Sequence, residues 1–235
     1  MEGVKPISIS SFGLKIIACA TMLIDHIGIV FFPNMIILRI IGRLSFPIFA
    51  FLISEGYAHT KSVEKYLARL FVFFVISGPI FQNVIKNYTT LNIFFSLFLG
   101  LIAIHIYNKI QNKNFAFLIV ILISIFAQMI KTEYGFYGIL LIFTFYLFNI
   151  ENDFKKLLFS QLFLIFPFLY FNLNIFSNGI INWTLCCYFA AILPLFLIKY
   201  YNGQRGPNLK YFFYIFYPAH LLILGLIKVL ITRLA

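Results

Sequence analysis

The feature that most constrains this chain is a succession of near-continuous apolar runs, each close to bilayer-crossing length, with Lys and Arg gathered in the short gaps between them. A crossing helix needs roughly 20 mainly apolar residues. Such runs fall near 12–32, 36–57, 66–85, 91–108, 115–130, 136–150, 157–172, 180–199 and 211–232. The expectation is an all-α, polytopic integral membrane bundle of about nine transmembrane helices, with eight to ten as the range. The fifth and sixth runs are short and flank Lys131–Gly135, so a helical hairpin that does not fully cross is the alternative there. Outer-membrane barrels alternate apolar and polar residues over segments of about ten residues, and these runs are continuous, so strands are not expected. The chain reads as a single transmembrane domain over 1–235, without a soluble domain or a repeat.

Charge supports the same class. Only 11% of residues are charged, against about 25% in ordinary globular chains, too few to solvate a soluble surface. The net charge of +11 does not point to nucleic acid, because the cations lie between apolar runs and form no single stripe. Cytoplasmic loops of membrane proteins collect Lys and Arg in this way. With the N-terminus cytoplasmic, 12 of the 18 basic residues fall on the inner side, an N-in, C-out arrangement in the cell's inner (cytoplasmic) membrane. Ala18-Cys19-Ala20 has the look of a signal-peptidase site, but the apolar stretch before it is short and the run continues past it, so the segment reads as a retained first span. Cys19, Cys186 and Cys187 lie in apolar runs and suggest no disulfide framework.

Ionisable groups at bilayer depth are costly and mark function or structural pairing. Four places carry them. In ATMLIDHIGIV, Asp25 and His26 suit a histidine base with an acidic neighbour, or a structural ion pair with an arginine. Adjacent helical residues point about 100° apart, so the two converge on one point only if the helix bends, which Gly28 and Pro33 would permit. In LRIIGRLSFP, Arg39 and Arg43 share a face at i, i+4 and enter the membrane where the first span leaves it. They suit a phosphate or carboxylate clamp, or one of them pairs with Asp25. Gly42 would let another backbone approach. In SEGYAHTKSVEKYLARL, Glu55, Tyr57 and His59 end the second span, and Lys61, Lys65 and Arg69 follow at four-residue spacing. That basic face suits an anionic ligand at a cytoplasmic mouth, or anchors to lipid phosphates. In FYPAHLLI, Tyr217 and His220 lie near one face of the last span beside a Pro218 bend, poised for a site or packed as a satisfied histidine. No metal cluster, Walker loop or GxSxG elbow is present in the sequence.

The segments MLIDHIGIVFFP, LRIIGRLSFPIFAFLISEGYAHT, KYLARL and FYPAHLLIL together resemble the TraX family, named for the acetylase of conjugative F-pilin. The likeness covers most of the first 75 residues and returns near 212–224. The resemblance implies a membrane-bound acetyltransferase that takes its acetyl group from acetyl-CoA, with an archetype that acetylates the pilin amino terminus. The chain also looks distantly like the broader transmembrane acyltransferases. One branch of those has an Arg eleven positions before its first-span histidine, where this chain has Lys15 before His26.

Acyl transfer needs a base for the acceptor's proton and donors for the developing oxyanion. His26 is the candidate base, or a transient acyl carrier, oriented by Asp25 or another carboxylate. Arg39 and Arg43 are the expected oxyanion donors or grip part of CoA. His59, Lys61, Lys65 and Arg69 are expected to hold the CoA phosphates, and Glu55, Tyr57, Tyr217 and His220 to line the path between. The expected acceptor is an amine or hydroxyl, on a pilin-like peptide, a glycan, a lipid headgroup or a small molecule. Two other classes stand beside this reading. A proton-coupled transporter would also use intramembrane Asp, His and Arg, but would often carry an internal repeat. A non-catalytic assembly factor for a surface appendage would need no buried ionisable groups.

Overall fold

A computed structural model describes residues 8–85, 90–148, 152–171 and 189–234, and these are helical with short connections. The helices are α1 (Ser11–Phe31), α2 (Ile36–Gly42), α3 (Ser45–His59), α4 (Val63–Val84), α5 (Ile93–Lys109), α6 (Lys113–Met129), α7 (Gly135–Leu147), α8 (Phe154–Phe171), α9 (Leu193–Ile198) and α10 (Lys210–Leu234). Most of the expected 180–199 run, with Cys186 and Cys187, lies outside the described residues.

Local chemistry sets the boundaries. The Ser10 hydroxyl caps α1 by accepting from the Gly13 amide at 3.2 Å. The helix then stops just before Pro33, whose ring disfavours helical geometry at the residue ahead of it. Ser62 caps α4 by accepting from the Lys65 amide, and Asn92 caps α5 by accepting from the Phe94 amide. The expected second span is not one straight helix. It breaks at Arg43 and Leu44, between α2 and α3. Pro47 has no amide hydrogen to offer the Arg43 carbonyl four residues back, so the ladder opens one turn upstream of it.

Among the described residues, four helical stretches are long and apolar enough to cross a membrane: Ser11–Phe31, Ile36–His59, Val63–Val84 and Lys210–Leu234. α5, α6 and α7 are shorter apolar helices. The 13 residues of α7 rise only about 20 Å, less than the roughly 30 Å of a hydrocarbon core. The connection from α6 to α7 turns at Lys131 (φ 56°) and Gly135 (φ 50°) and pairs with the chain ahead of α5. There the Leu91 amide donates to the Lys131 carbonyl at 2.9 Å, and the Glu133 amide to the Leu91 carbonyl at 3.0 Å.

The packing separates a buried centre from an apolar rim. α1 lies against α2, α3 and α10, α5 against α3, α4, α6 and α7, and α3 against α7. Leu101, Ala103 and Ile104 of α5 are fully buried. The outward faces of α4, α6 and α10 expose Val75, Leu122 and Leu226 among many apolar side chains. A water-soluble monomer does not leave faces of that extent bare. A multi-pass membrane protein does, because its helices satisfy their own backbones and offer hydrocarbon to lipid.

Candidate functional site

α1 is unbroken through residues 25 and 26, so Asp25 and His26 point in different directions and serve different partners. Asp25 faces α2. Its Oδ2 lies 2.8 Å from Arg39 Nη1 and 3.5 Å from Arg43 Nη2. The shared i, i+4 face of the two arginines therefore meets one carboxylate. Gly42 makes this possible in a way that differs from the backbone contact expected for it. Its Cα backs directly onto the Asp25 carboxylate, and a Cβ built there would overlap that group. Gly42→Ala is accordingly expected to destabilise the fold by about 1–3 kcal/mol, the range for overpacking a fitted core. Thermal unfolding of purified wild type and variant in detergent measures it.

His26 faces α10, and its partner is His220, not Asp25. His26 Nδ1 is 2.6 Å from His220 Nε2, and the two rings stack at 4.9 Å. His220 Nδ1 lies 2.7 Å from the Phe216 carbonyl. A carbonyl only accepts, so His220 carries its hydrogen on Nδ1 and, when neutral, accepts at Nε2. His26 must then donate from Nδ1, which leaves the lone pair on His26 Nε2. The relay from carbonyl through His220 thus fixes His26 in a base-competent tautomer, the role the sequence reading had given to an acidic neighbour. Tyr217 stands edge-on to His26 at 6.0 Å, and its hydroxyl is buried beside the backbone of Ile93.

A small cavity of about 20 Å³ lies beside His26, lined also by Asp25, Gly42, Ser45, Glu133 and Tyr134. Glu133 belongs to the α6–α7 connection and to no motif singled out in the sequence. Its pairing with Leu91 holds it there, and Tyr134 stacks on Phe46 at 3.6 Å. Burial pushes the Glu133 carboxyl up to about 7, with Arg43 pulling the other way, and Oε2 has no hydrogen-bond partner among the described residues. A single position in a short connection carries no periodic signal, so nothing in the pattern announces it.

A second cavity, of about 410 Å³, opens where α1, α4 and α10 begin and α3 ends. Its mouth carries Lys15, Lys61, Arg69, Arg205 and Lys210. The 200–206 segment is held over the start of α1 by backbone bonds, including Ser11 N–H to Gln204 O at 2.8 Å and Phe12 N–H to Arg205 O at 3.1 Å. Lys15 and His26 are eleven residues apart on one continuous helix, a rise of about 17 Å. Met22, Phe49, Ile93 and Tyr217 line both cavities and form the partition between the large one and the His26 chamber.

Several expected placements change. Arg39 and Arg43 line neither cavity and clamp Asp25 instead, so they are not positioned as oxyanion donors. Glu55, His59, Lys61 and Arg69 line the large cavity, but Lys65 does not. Lys61 precedes the Ser62 cap, so it is off the α4 helix, and the three cations do not form one helical face. Glu55 accepts a 2.8 Å bond from the Tyr201 hydroxyl. Tyr57, about 200° around α3 from Glu55, points to α5 instead, where its hydroxyl accepts from Asn108 Nδ2 at 3.0 Å and lies 3.4 Å from His105 Nδ1. Tyr217 lines both cavities, whereas His220 sits behind His26.

A model of the TraX protein family matches residues 10–228. Among curated proteins, the chain is 28% identical to the probable fimbrial assembly protein FimC, serogroup H1, of Dichelobacter nodosus, over 94% of this chain and 96% of that one. It is 31% identical to an uncharacterized protein of Rickettsia prowazekii (strain Madrid E), over 52% of this chain and 49% of that one. No solved structure matches.

Proposed function

The chain belongs to the TraX family, and from that membership we propose that it is a membrane-embedded acetyltransferase. It moves an acetyl group from cytosolic acetyl-CoA to an amine or hydroxyl acceptor at the outer half of the inner membrane. The observation that carries this reading is one continuous arrangement. A cavity with five cations at its mouth runs along α1 and ends at the residues that back onto His26. Cations suit the phosphates of CoA, and about 410 Å³ lies within the usual size of a small-molecule site, roughly 300–1,000 Å³. In the proposed orientation the N-terminus and this mouth face the cytoplasm, as the distribution of Lys and Arg favours.

In the reaction, the acceptor's nitrogen or oxygen adds to the thioester carbonyl while His26 Nε2 takes its proton. The Tyr217 hydroxyl, buried and at the partition, donates to the oxyanion in place of the arginines. Collapse breaks the carbon–sulfur bond, and His26 returns the proton to the sulfur. His220 positions His26 throughout. The Asp25–Arg39–Arg43 cluster locks α1 to α2 and keeps His26 turned toward α10.

Binding at the mouth predicts a separable phenotype. Arg69 lies over the Tyr66 ring at 5.4 Å and lines the large cavity but not the His26 chamber. Arg69→Gln is expected to raise KM for acetyl-CoA about tenfold, the loss of one charge-assisted contact, with kcat within about threefold. Steady-state thioester cleavage measures both. A solute exporter is the second reading, favoured by the α2–α3 break beside buried charge, a device transporters use. Solute flux in proteoliposomes that is indifferent to CoA would select it.

A further inference from the structure

The transferase reading leaves open which acyl groups reach His26, and the partition between the two cavities bears on it. We propose that Met22, Phe49, Ile93 and Tyr217 form a throat that limits the transferred acyl group to acetyl, with Met22 as the main determinant. The proposal rests on the transferase reading. The donor's phosphates are held at the cationic mouth, so its thioester reaches the inner end of the large cavity, where these four side chains stand. For His26 to act, the carbonyl must lie at the throat and the rest of the acyl chain must pass beyond it. Beyond it lies about 20 Å³, room for about one water-sized group, since a single water needs at least roughly 10–15 Å³ on this measure. A methyl group fits that space and a propyl chain does not.

The four side chains come from four helices, α1, α3, α5 and α10. Met22 and Tyr217 are 8% and 2% exposed, so neither is a loose surface group. Met22 is one turn from His26 at i, i+4 and shares its face of α1. It therefore covers the approach to the base. A methionine yields shape by rotation but not volume, so replacing it with alanine removes everything beyond Cβ next to His26. The chemistry itself is unchanged: the acyl–sulfur bond breaks, an acyl–nitrogen or acyl–oxygen bond forms, and the acceptor's proton ends on sulfur.

The test compares acetyl-, propionyl-, butyryl- and hexanoyl-CoA with purified protein in detergent. Envelope material from cells lacking the chain serves as the acceptor, and thiol release and acyl incorporation are both read. Wild type should prefer acetyl to butyryl by at least about 10²-fold in kcat/KM, since a fitted pocket discriminates about 10–200-fold per methylene. Met22→Ala, or Phe49→Ala should the first variant fail to fold, should shift that ratio at least tenfold toward butyryl. Wild type that uses butyryl as well as acetyl overturns the throat and leaves the transferase reading standing. An unchanged ratio in the folded variant does the same. Folded wild type that transfers none of the four acyl groups overturns both.

Discussion

His26→Ala is expected to reduce acetyl transfer by at least about 10³-fold while the protein still inserts and purifies. General-base catalysis alone contributes about 10²–10⁴-fold. The site offers one imidazole whose tautomer is set for the task, because His26 donates from Nδ1 to His220 at 2.6 Å and so presents Nε2. The variant keeps the Asp25 pair with Arg39 and Arg43, so the junction of α1 with α2 survives. His220→Ala should then be intermediate, because it removes the orienting bond and spares the base. Rates for the two variants beside size-exclusion profiles in detergent check this. Full activity in folded His26→Ala would remove His26 from the chemistry.

Asp25→Ala is expected to have the largest effect on stability. The carboxylate is 13% exposed and faces two guanidiniums that are 17% and 24% exposed. Removing one partner of a buried pair costs about 3–5 kcal/mol, because the remaining charge keeps its desolvation penalty without the attraction. Here two positive charges on adjacent turns of one face would repel each other, offset only in part by the Glu133 carboxyl on which both act. Asp25→Ala combined with Arg39→Met should recover about half of the loss, since it leaves one cation instead of two. Thermal unfolding of the single and double variants measures the coupling directly. An Asp25→Ala protein as stable as wild type would mean that the cluster is not what locks α1 to α2.

The Asp25 cluster was legible because all of its parts are local. A span that ends near Pro33 and another that begins at Ile36 must bring residue 25 near residues 39 and 43. The 3.6-residue period then put both arginines on one side. The apolar runs located most of the described helices to within a few residues. What they could not reach were contacts across long stretches of chain. His26 and His220 are 194 positions apart, and nothing in the hydropathy of either segment says that they touch. Glu133 depends on the pairing of its connection with Leu91, and Arg205 on the backbone bonds that tie the 200–206 segment to the start of α1. Such pairings outside helices leave no period. Two misreadings had local causes that were present in the sequence. Ser62 caps α4, so Lys61 falls outside that helix, and Pro47 opens the α2–α3 ladder.

Family membership and the paired cavities meet on one claim, that acetyl groups leave CoA at His26 for an acceptor in the envelope. Transfer of label from radiolabelled acetyl-CoA tests it most directly, with purified protein and envelope material from a strain lacking the chain. Wild type should move label onto that material and the His26→Ala protein should not. The absence of label transfer by folded wild type, or equal transfer by both proteins, would contradict the claim.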